Sequence, residues 1–331
     1  MEVIKKTVSF CPECYQRVLA DIAIKNDNVV MVKTCPEHGM TEALIEKDAA
    51  FYIQGMHSMA PFIYQGYFLD VTERCNLKCK YCYFGVNNKS EDRSIDSILS
   101  EATIHAHMAP IILTGGEPTL RKDIIEIVKG IKNVARSIEM VTNGYGLTKE
   151  LVEELFPLMS SHKTACINLS MHKESNGKDI EAIELFRSMG IRLESILFVI
   201  DDLNDIDGVI SFCEANSDVI DSVRLKLATR IWSERKEVPE LFCSDMVSKL
   251  KQHGAVPVWW RQNKARFFNM QIDKVIYMLC CWYDVYNVDI LDISCPPFYK
   301  AKSGTIENIV TSNIVNEGIA KGWLDGRRIK E

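Results

Sequence analysis

Between Tyr67 and His253 the chain alternates short runs of Ile, Val and Leu with longer stretches in which apolar residues recur every three or four positions. The short runs read as strands and the longer ones as amphipathic helices. Strands are expected at Tyr67–Thr72, Ile111–Thr114, Ser137–Thr142, Cys166–Ser170, Ile191–Ile200 and Val219–Ala228. Helices are expected over Ser94–Met108, Lys122–Lys132, Lys149–Met159, Asp179–Met189, Asp205–Asn216 and Pro239–His253. In the first of these, Ile95, Ile98, Leu99, Ala102 and Ile104 carry the helical spacing and Ser94 is placed to cap it. Apolar strands separated by helices imply a parallel sheet with crossover helices, so the fold class is α/β with six β/α units.

The two ends of the chain follow other patterns. Residues 1–65 are short-period, turn-rich and cysteine-bearing, and they end near a linker at Met59-Ala60-Pro61. Residues 66–255 carry the β/α units. Residues 256–331 show alternating apolar positions around Val275–Ile290 and an amphipathic helical pattern over Ile306–Lys321. This tail is expected to form an α+β cap on the β/α units.

Composition narrows the class only a little. With 331 residues, 47% of them hydrophobic, the chain can bury one large core and a small satellite. A net charge of -6 leaves no electrostatic footprint of a nucleic-acid binder at the level of the whole chain. Residues Met1–Phe10 lack the sustained apolar stretch of a signal peptide, and no run reaches the length of a membrane span. Twelve cysteines without an export signal favour metal or catalytic use over disulfides, and a reducing cytoplasm is the expected home.

The chemistry concentrates in Cys75-Asn76-Leu77-Lys78-Cys79-Lys80-Tyr81-Cys82. An ordinary 4Fe-4S site takes four thiolates, so a compact triplet leaves one iron open to an exogenous ligand. A zinc ribbon would want a second pair nearby, and none follows within the next eighty residues. Two further motifs stand at expected strand ends: Gly115-Gly116-Glu117-Pro118 and Thr142-Asn143-Gly144. Together the three resemble the signature of the radical S-adenosylmethionine (radical SAM) superfamily. The resemblance implies an open partial (β/α)6 TIM-like barrel over roughly residues 67–253, with the chemistry at the carboxyl ends of its strands. It also implies a 4Fe-4S cluster on Cys75, Cys79 and Cys82 that cleaves S-adenosylmethionine to a 5'-deoxyadenosyl radical. Gly115, Gly116 and Glu117 would hold the S-adenosylmethionine amino group, Tyr81 would lie near adenine, and Asn143 and Ser170 near the ribose or the carboxylate. Lys178 and Arg230 are further candidates for that carboxylate, and His172 for a proton transfer. The competing account makes Asn143 and Ser170 turn-capping residues and the two cations solvated surface charges.

The amino-terminal zone pairs Cys11-Pro12-Glu13-Cys14 with Cys35-Pro36-Glu37-His38. Two such pairs make a Cys3His tetrahedron for zinc or for a rubredoxin-like iron. Its expected job is to supply folding energy to a zone too small for a core of its own. This zone resembles that of dihydropterin-methylating and tetraether-lipid-forming radical SAM proteins, although the chain has only one Cys triplet. In the tail, Cys280, Cys281 and Cys295, with Cys243, read as buried thiols, a hydrogen-atom donor or an auxiliary cluster. The aromatic run Trp259, Trp260, Phe267, Phe268, Tyr277, Trp282, Tyr283 and Tyr286 reads as core or as a pocket wall.

The functional expectation is therefore an enzyme in which the radical abstracts hydrogen from a small-molecule substrate, with flavodoxin or ferredoxin as electron donor. A peptide-modifying maturase and a non-catalytic metal scaffold or redox sensor are the alternatives.

Overall fold

The computed structural model describes residues 1–14, 16–58, 67–79, 82, 86, 88–106, 110–161, 164–171, 177–228, 241–257 and 267–280. The amino-terminal zone is a four-stranded antiparallel sheet, β1 (Glu2–Phe10), β2 (Arg17–Lys25), β3 (Asn28–Cys35) and β4 (Gly39–Glu46), in sequential order, followed by helix α1 (Ala49–Ser58). It has a core of its own, contrary to expectation. Ala20, Ile22, Val29, Met31 and Ile45 pack beneath Ala49 and Tyr52 of α1. Ala23, Val30 and Val32 pack on the other face of the sheet. Burial on both faces of β3 is why its run Val29–Val32 carries no alternation to mark it as a strand.

The main sheet runs β5 (Tyr67–Thr72), β6 (Ile111–Gly115), β7 (Ile138–Thr142), β9 (Thr164–Met171), β10 (Arg192–Ile200), β11 (Ser222–Leu227), all parallel and each beside its predecessor. The two-residue β8 (Ser160–Ser161) pairs antiparallel with β9. Between the strands lie α2 (Ile95–His105), α3 (Ile124–Lys132), α4 (Lys149–Met159), α5 (Lys178–Ser188) and α6 (Asp205–Ala215), and α7 (Cys243–Gln252) follows β11. The serine expected to cap α2 does so, Ser94 Oγ accepting the Ser97 N–H at 3.2 Å.

Alternate strand residues face these helices. Tyr67, Leu69, Ile111, Leu113, Ile138 and Met140 bury against Ile98, Ala102, Ile127 and Leu155. Ile167, Leu169, Leu193, Ile196, Val223 and Leu225 form a second outer core with α5, α6 and α7. The intervening residues, among them Asp70, Glu139, Asn168, Ser195, Arg224 and Lys226, therefore lie on the inner face.

The described part of the tail continues this sheet. β14 (Val275–Cys280) pairs parallel with β11, β13 (Phe267–Ile272) pairs antiparallel with β14, and β12 (Val256–Pro257) pairs with β13. The expected alternation from Val275 onward is real, and it serves to extend the sheet edge, with Tyr277 and Leu279 buried in the outer core beside α7. Among the described residues β5 pairs only with β6, so the sheet stays open there. The amino-terminal zone docks on α7: buried Glu46 accepts from the Ser244 hydroxyl at 2.5 Å and from its N–H at 3.4 Å, and Lys47 pairs with Asp245.

Candidate active site and metal centre

All three motifs fall at the carboxyl ends of β5, β6 and β7. Leaving β5, the chain is fixed by a set of polar side chains. Asp92 accepts from Thr72 Oγ1 at 2.6 Å and from Arg74 Nη2 at 2.5 Å, and Arg74 N–H donates to Thr72 Oγ1 at 3.1 Å. Asn88 Oδ1 accepts the Cys75 N–H at 2.9 Å, and Ser90 Oγ donates to Glu73. The segment 88–92 thus folds back on 72–75 and closes the cysteine loop. Cys82 N–H donates to Cys79 O at 3.2 Å, and Leu77 N–H reaches Cys75 Sγ at 3.4 Å. Cys75, Cys79 and Cys82 are all partly exposed. Burial pushes the Cys75 thiol above its usual range, with the nearby Glu117 and Cys82 charges adding to it.

The two glycines are required by the protein backbone itself. A Cβ on Gly115 would lie 2.2 Å from Thr72 O, and one on Gly116 would lie 2.1 Å from Arg74 O. Gly115 also has φ +124°, a conformation L side chains rarely adopt. Gly116 N–H donates to Thr72 O and Glu117 N–H to Arg74 O, both at 2.8 Å. The β6 end is thereby stitched to the strand exit that leads into Cys75.

Glu117 is 1% exposed and turned inward. Its Oε1 accepts from Thr119 N–H at 3.0 Å, Thr119 Oγ1 at 2.7 Å and Thr142 Oγ1 at 2.6 Å, and Oε2 accepts from Asn143 N–H at 2.8 Å. Burial raises its pKa and these donors oppose the rise. Asn143 completes the circuit: its Nδ2 donates to Asn76 Oδ1 at 2.8 Å and stands 3.8 Å from Cys75 Sγ, while its Oδ1 caps Tyr145 N–H at 3.0 Å. One clamp therefore joins the ends of β6 and β7 to the cysteine loop.

Ser170 lies on the inner face near the end of β9, opposite Leu197. Lys178 is a surface cation, paired with Glu181 at 2.5 Å at the exposed start of α5. Cys243 is buried in the outer core beside Met246, Val247 and Leu250, the buried-thiol arrangement. Tyr81, His172, Arg230, Cys281, Cys295, Trp259, Trp260, Trp282, Tyr283 and Tyr286 lie outside the described residues. Sequence reasoning missed Asn88 and Asp92, single polar residues that no spacing marks, and gave Thr72, at a strand end, and Thr142, in the third motif, no role of their own.

In the amino-terminal zone the turns β1–β2 and β3–β4 lie at the same end of the sheet and bring Cys11, Cys14, Cys35 and His38 together, their ligand atoms all within 4.8 Å of one another. Cys14 and Cys35 sulfurs are 3.8 Å apart, and His38 Nδ1 lies 3.5 Å from Cys35 Sγ and 3.7 Å from Cys11 Sγ. A tetrahedral ion with bonds of about 2.3 Å to sulfur and about 2.0–2.1 Å to nitrogen has edges of about 3.8 and 3.6 Å, so the donor set fits one ion. Burial pushes the Cys14 thiol up to about 11. At Cys35 burial acts the same way but is outweighed by His38 and by the Glu37 and His38 N–H groups, leaving it lowered to about 6 and ready to ligate as thiolate.

Residues 69–212 match the family model of the radical SAM superfamily. This span is a radical SAM domain. Residues 3–47 match the HMPTM N-terminal zinc ribbon domain, the span that holds the Cys3His set. The chain is 27% identical over 178 residues to the 7,8-dihydro-6-hydroxymethylpterin dimethyltransferase of Methanocaldococcus jannaschii, covering 43% of this chain and 35% of that protein. It is 30% identical over 174 residues to a probable GTP 3',8-cyclase of Sulfolobus acidocaldarius, covering 47% of this chain and 54% of that one. The chain thus spans about a third to a half of the length of these curated relatives. SuiB of Streptococcus suis, solved bound to S-adenosylmethionine, aligns with a TM-score of 0.46 and 17% identity over 62% of this chain and 51% of that one. The superfamily's cofactors, a 4Fe-4S cluster and S-adenosylmethionine, suit a triplet of accessible thiols at strand ends, and the ribbon suits a structural metal. No helix among the described residues is long and apolar enough to cross a membrane.

Proposed function

We propose that the chain is a radical SAM enzyme that acts on a small polar molecule held against the inner face of the parallel sheet. The cluster, when bound, supplies the electron that cleaves S-adenosylmethionine and so a hydrogen-abstracting radical. What the chain contributes is placement. Cys75, Cys79 and Cys82 would hold three irons, and the clamp of Asp92, Asn88 and Asn143 would fix the loop that carries them. The Gly115–Gly116 N–H groups of the rim are committed to the β5 exit or lie within it, so its carbonyl oxygens are the groups left to receive the methionine ammonium. Glu117 braces that rim from below. Ser170 would serve the ribose or carboxylate, and Tyr81 the adenine. The Cys3His ribbon has no open coordination position and would hold zinc or iron structurally.

The observation that carries the small-molecule reading is the inner face: Asp70, Glu139, Asn168, Ser195, Arg224 and Lys226 give it hydrogen-bonding groups of both charges. Relatives named for a hydroxymethylpterin and for GTP point to polar heterocycles as a class. A flavodoxin or ferredoxin would supply the electron, because such clusters work near the low end of a span of about -700 to +450 mV. The test is anaerobic incubation of reconstituted protein with S-adenosylmethionine and dithionite. We expect 5'-deoxyadenosine from the wild type and none from Cys79→Ala. Full activity in that variant, or none in the wild type with a complete cluster, would sink the reading and leave a metal scaffold.

A further inference from the structure

The ribbon buries a lysine. Lys33 is 2% exposed and stands on β3 between Met31, which packs in the core beneath α1, and Cys35 of the Cys3His set. Residues two apart on a strand share a face and lie about 6.6 Å from each other, so Lys33 is on the metal ligand's own side of the sheet. At its level are Ala20 on β2 and Thr41 on β4. The side chain reaches toward the ligand end, where Nζ donates at 2.9 Å to the Phe10 carbonyl, the group bonded to the nitrogen of Cys11. The ribbon's carboxylates are placed elsewhere. Asp21 and Glu42 flank Val32 on the opposite face, and Glu42 pairs with Lys25. Glu46 belongs to the far end of the sheet, where Ser244 holds it. Glu13 and Glu37 are exposed on the two ligand turns. The ligand set itself is the buried anion on this face: three thiolates with a divalent ion leave one negative charge over, and with a trivalent ion they leave none.

We propose that Lys33 is the charge partner of the metal centre and makes the Cys3His set a site for a divalent ion. With the ammonium beside it the divalent form is neutral as a whole, whereas the trivalent form leaves a buried positive charge uncompensated, a costly state away from water. Zinc or ferrous iron is therefore favoured and ferric iron disfavoured, so the ribbon is a staple and not an electron relay. Through Phe10 the same side chain also positions the turn that carries Cys11, as groups behind a ligand commonly do. This rests on the metal reading of the Cys3His set.

The test uses the full-length chain, with zinc affinity measured by competition against a chelator. Lys33→Met keeps the length of the side chain but removes its charge, and it should weaken zinc at least tenfold. Lys33→Gln takes its place should Lys33→Met fail to fold. Lys33→Arg keeps the charge and should hold zinc clearly better than either. Met31→Ala, two residues away on the same face, should lower the Tm and leave zinc affinity unchanged. A second measurement uses iron-loaded protein in which Cys75, Cys79 and Cys82 are all changed to Ala, so that the ribbon holds the iron. Its ferric/ferrous midpoint potential should fall in Lys33→Met. Looser packing would act the other way, because entering water stabilises the more highly charged ferrous form and raises the potential. A loss of zinc affinity below tenfold in the folded neutral variant, an equal loss in folded Lys33→Arg, or a midpoint that holds or rises overturns the proposal. If the wild type holds no tight ion, the metal reading itself fails, whereas a wild-type ion unmoved by Lys33→Met refutes the charge partner alone.

Discussion

Gly116 shows how little room the site leaves at the level of single residues. Its missing Cβ would stand 2.1 Å from Arg74 O, so Gly116→Ala must push the β5 exit aside. Overpacking of this kind costs about 1–3 kcal/mol, and here the displaced backbone is the one that leads into Cys75. We expect Gly116→Ala to fold with a lowered Tm and to take up less than half the wild-type iron on reconstitution, read by iron analysis per chain. Asn143→Ala should act on the loop with less cost to the fold. It removes the donor to Asn76 and the amide beside Cys75, so cluster uptake should fall while the melting temperature moves by only a few degrees. Unchanged iron in both variants would show that the clamp is ornamental. The Cys spacing was readable along the chain because its three ligands are local. The clamp was not, because Asn88, Asp92 and Thr142 acquire their roles only when the ends of β5, β6 and β7 meet.

Among the elements, the junction between the ribbon and α7 is the most exposed to test. Glu46 is fully buried at the start of that helix, where unpaired N–H groups and the helix dipole favour a carboxylate. Ser244→Ala removes the 2.5 Å bond to that carboxylate and should destabilise the protein by about 1–3 kcal/mol in denaturant unfolding. A double-mutant cycle with Glu46→Gln should give a coupling of about 0.5–3 kcal/mol, and a coupling of zero would mean the two units merely touch. Helix α4 spans Lys149–Met159 as its apolar spacing foretold, and α3, α5 and α6 differ from expectation only at their ends. The ribbon strands escaped notice for opposite reasons. β1 mixes lysines into its alternation, and β3 is buried on both faces and shows none.

At the scale of the whole molecule two metal-bearing units share one chain, and their independence can be measured. A variant with Cys75, Cys79 and Cys82 all changed to Ala should lose the 4Fe-4S absorbance yet retain about one tightly held zinc or iron, since the Cys3His set is closed and distant in sequence. Loss of both metals together would refute that separation. The wider architecture was legible because each β/α unit announces itself locally, and parallel order follows from the crossover helices. The sheet's continuation through β13 and β14 was not, because β14 lies beside a strand some fifty residues earlier and nothing local names its neighbour.

Every strand of the parallel run lies next to the one made before it, so the sheet can grow in the order of synthesis. The cysteine loop and all the side chains that fix it, from Thr72 to Tyr145, are complete once β7 has emerged, whereas Arg224 and Lys226 come some eighty residues later. The part of the fold that carries the cysteine loop and its clamp is thus complete in the chain before the later strands are made. Descent could then rewrite the later strands without disturbing the cysteine loop or the side chains that fix it.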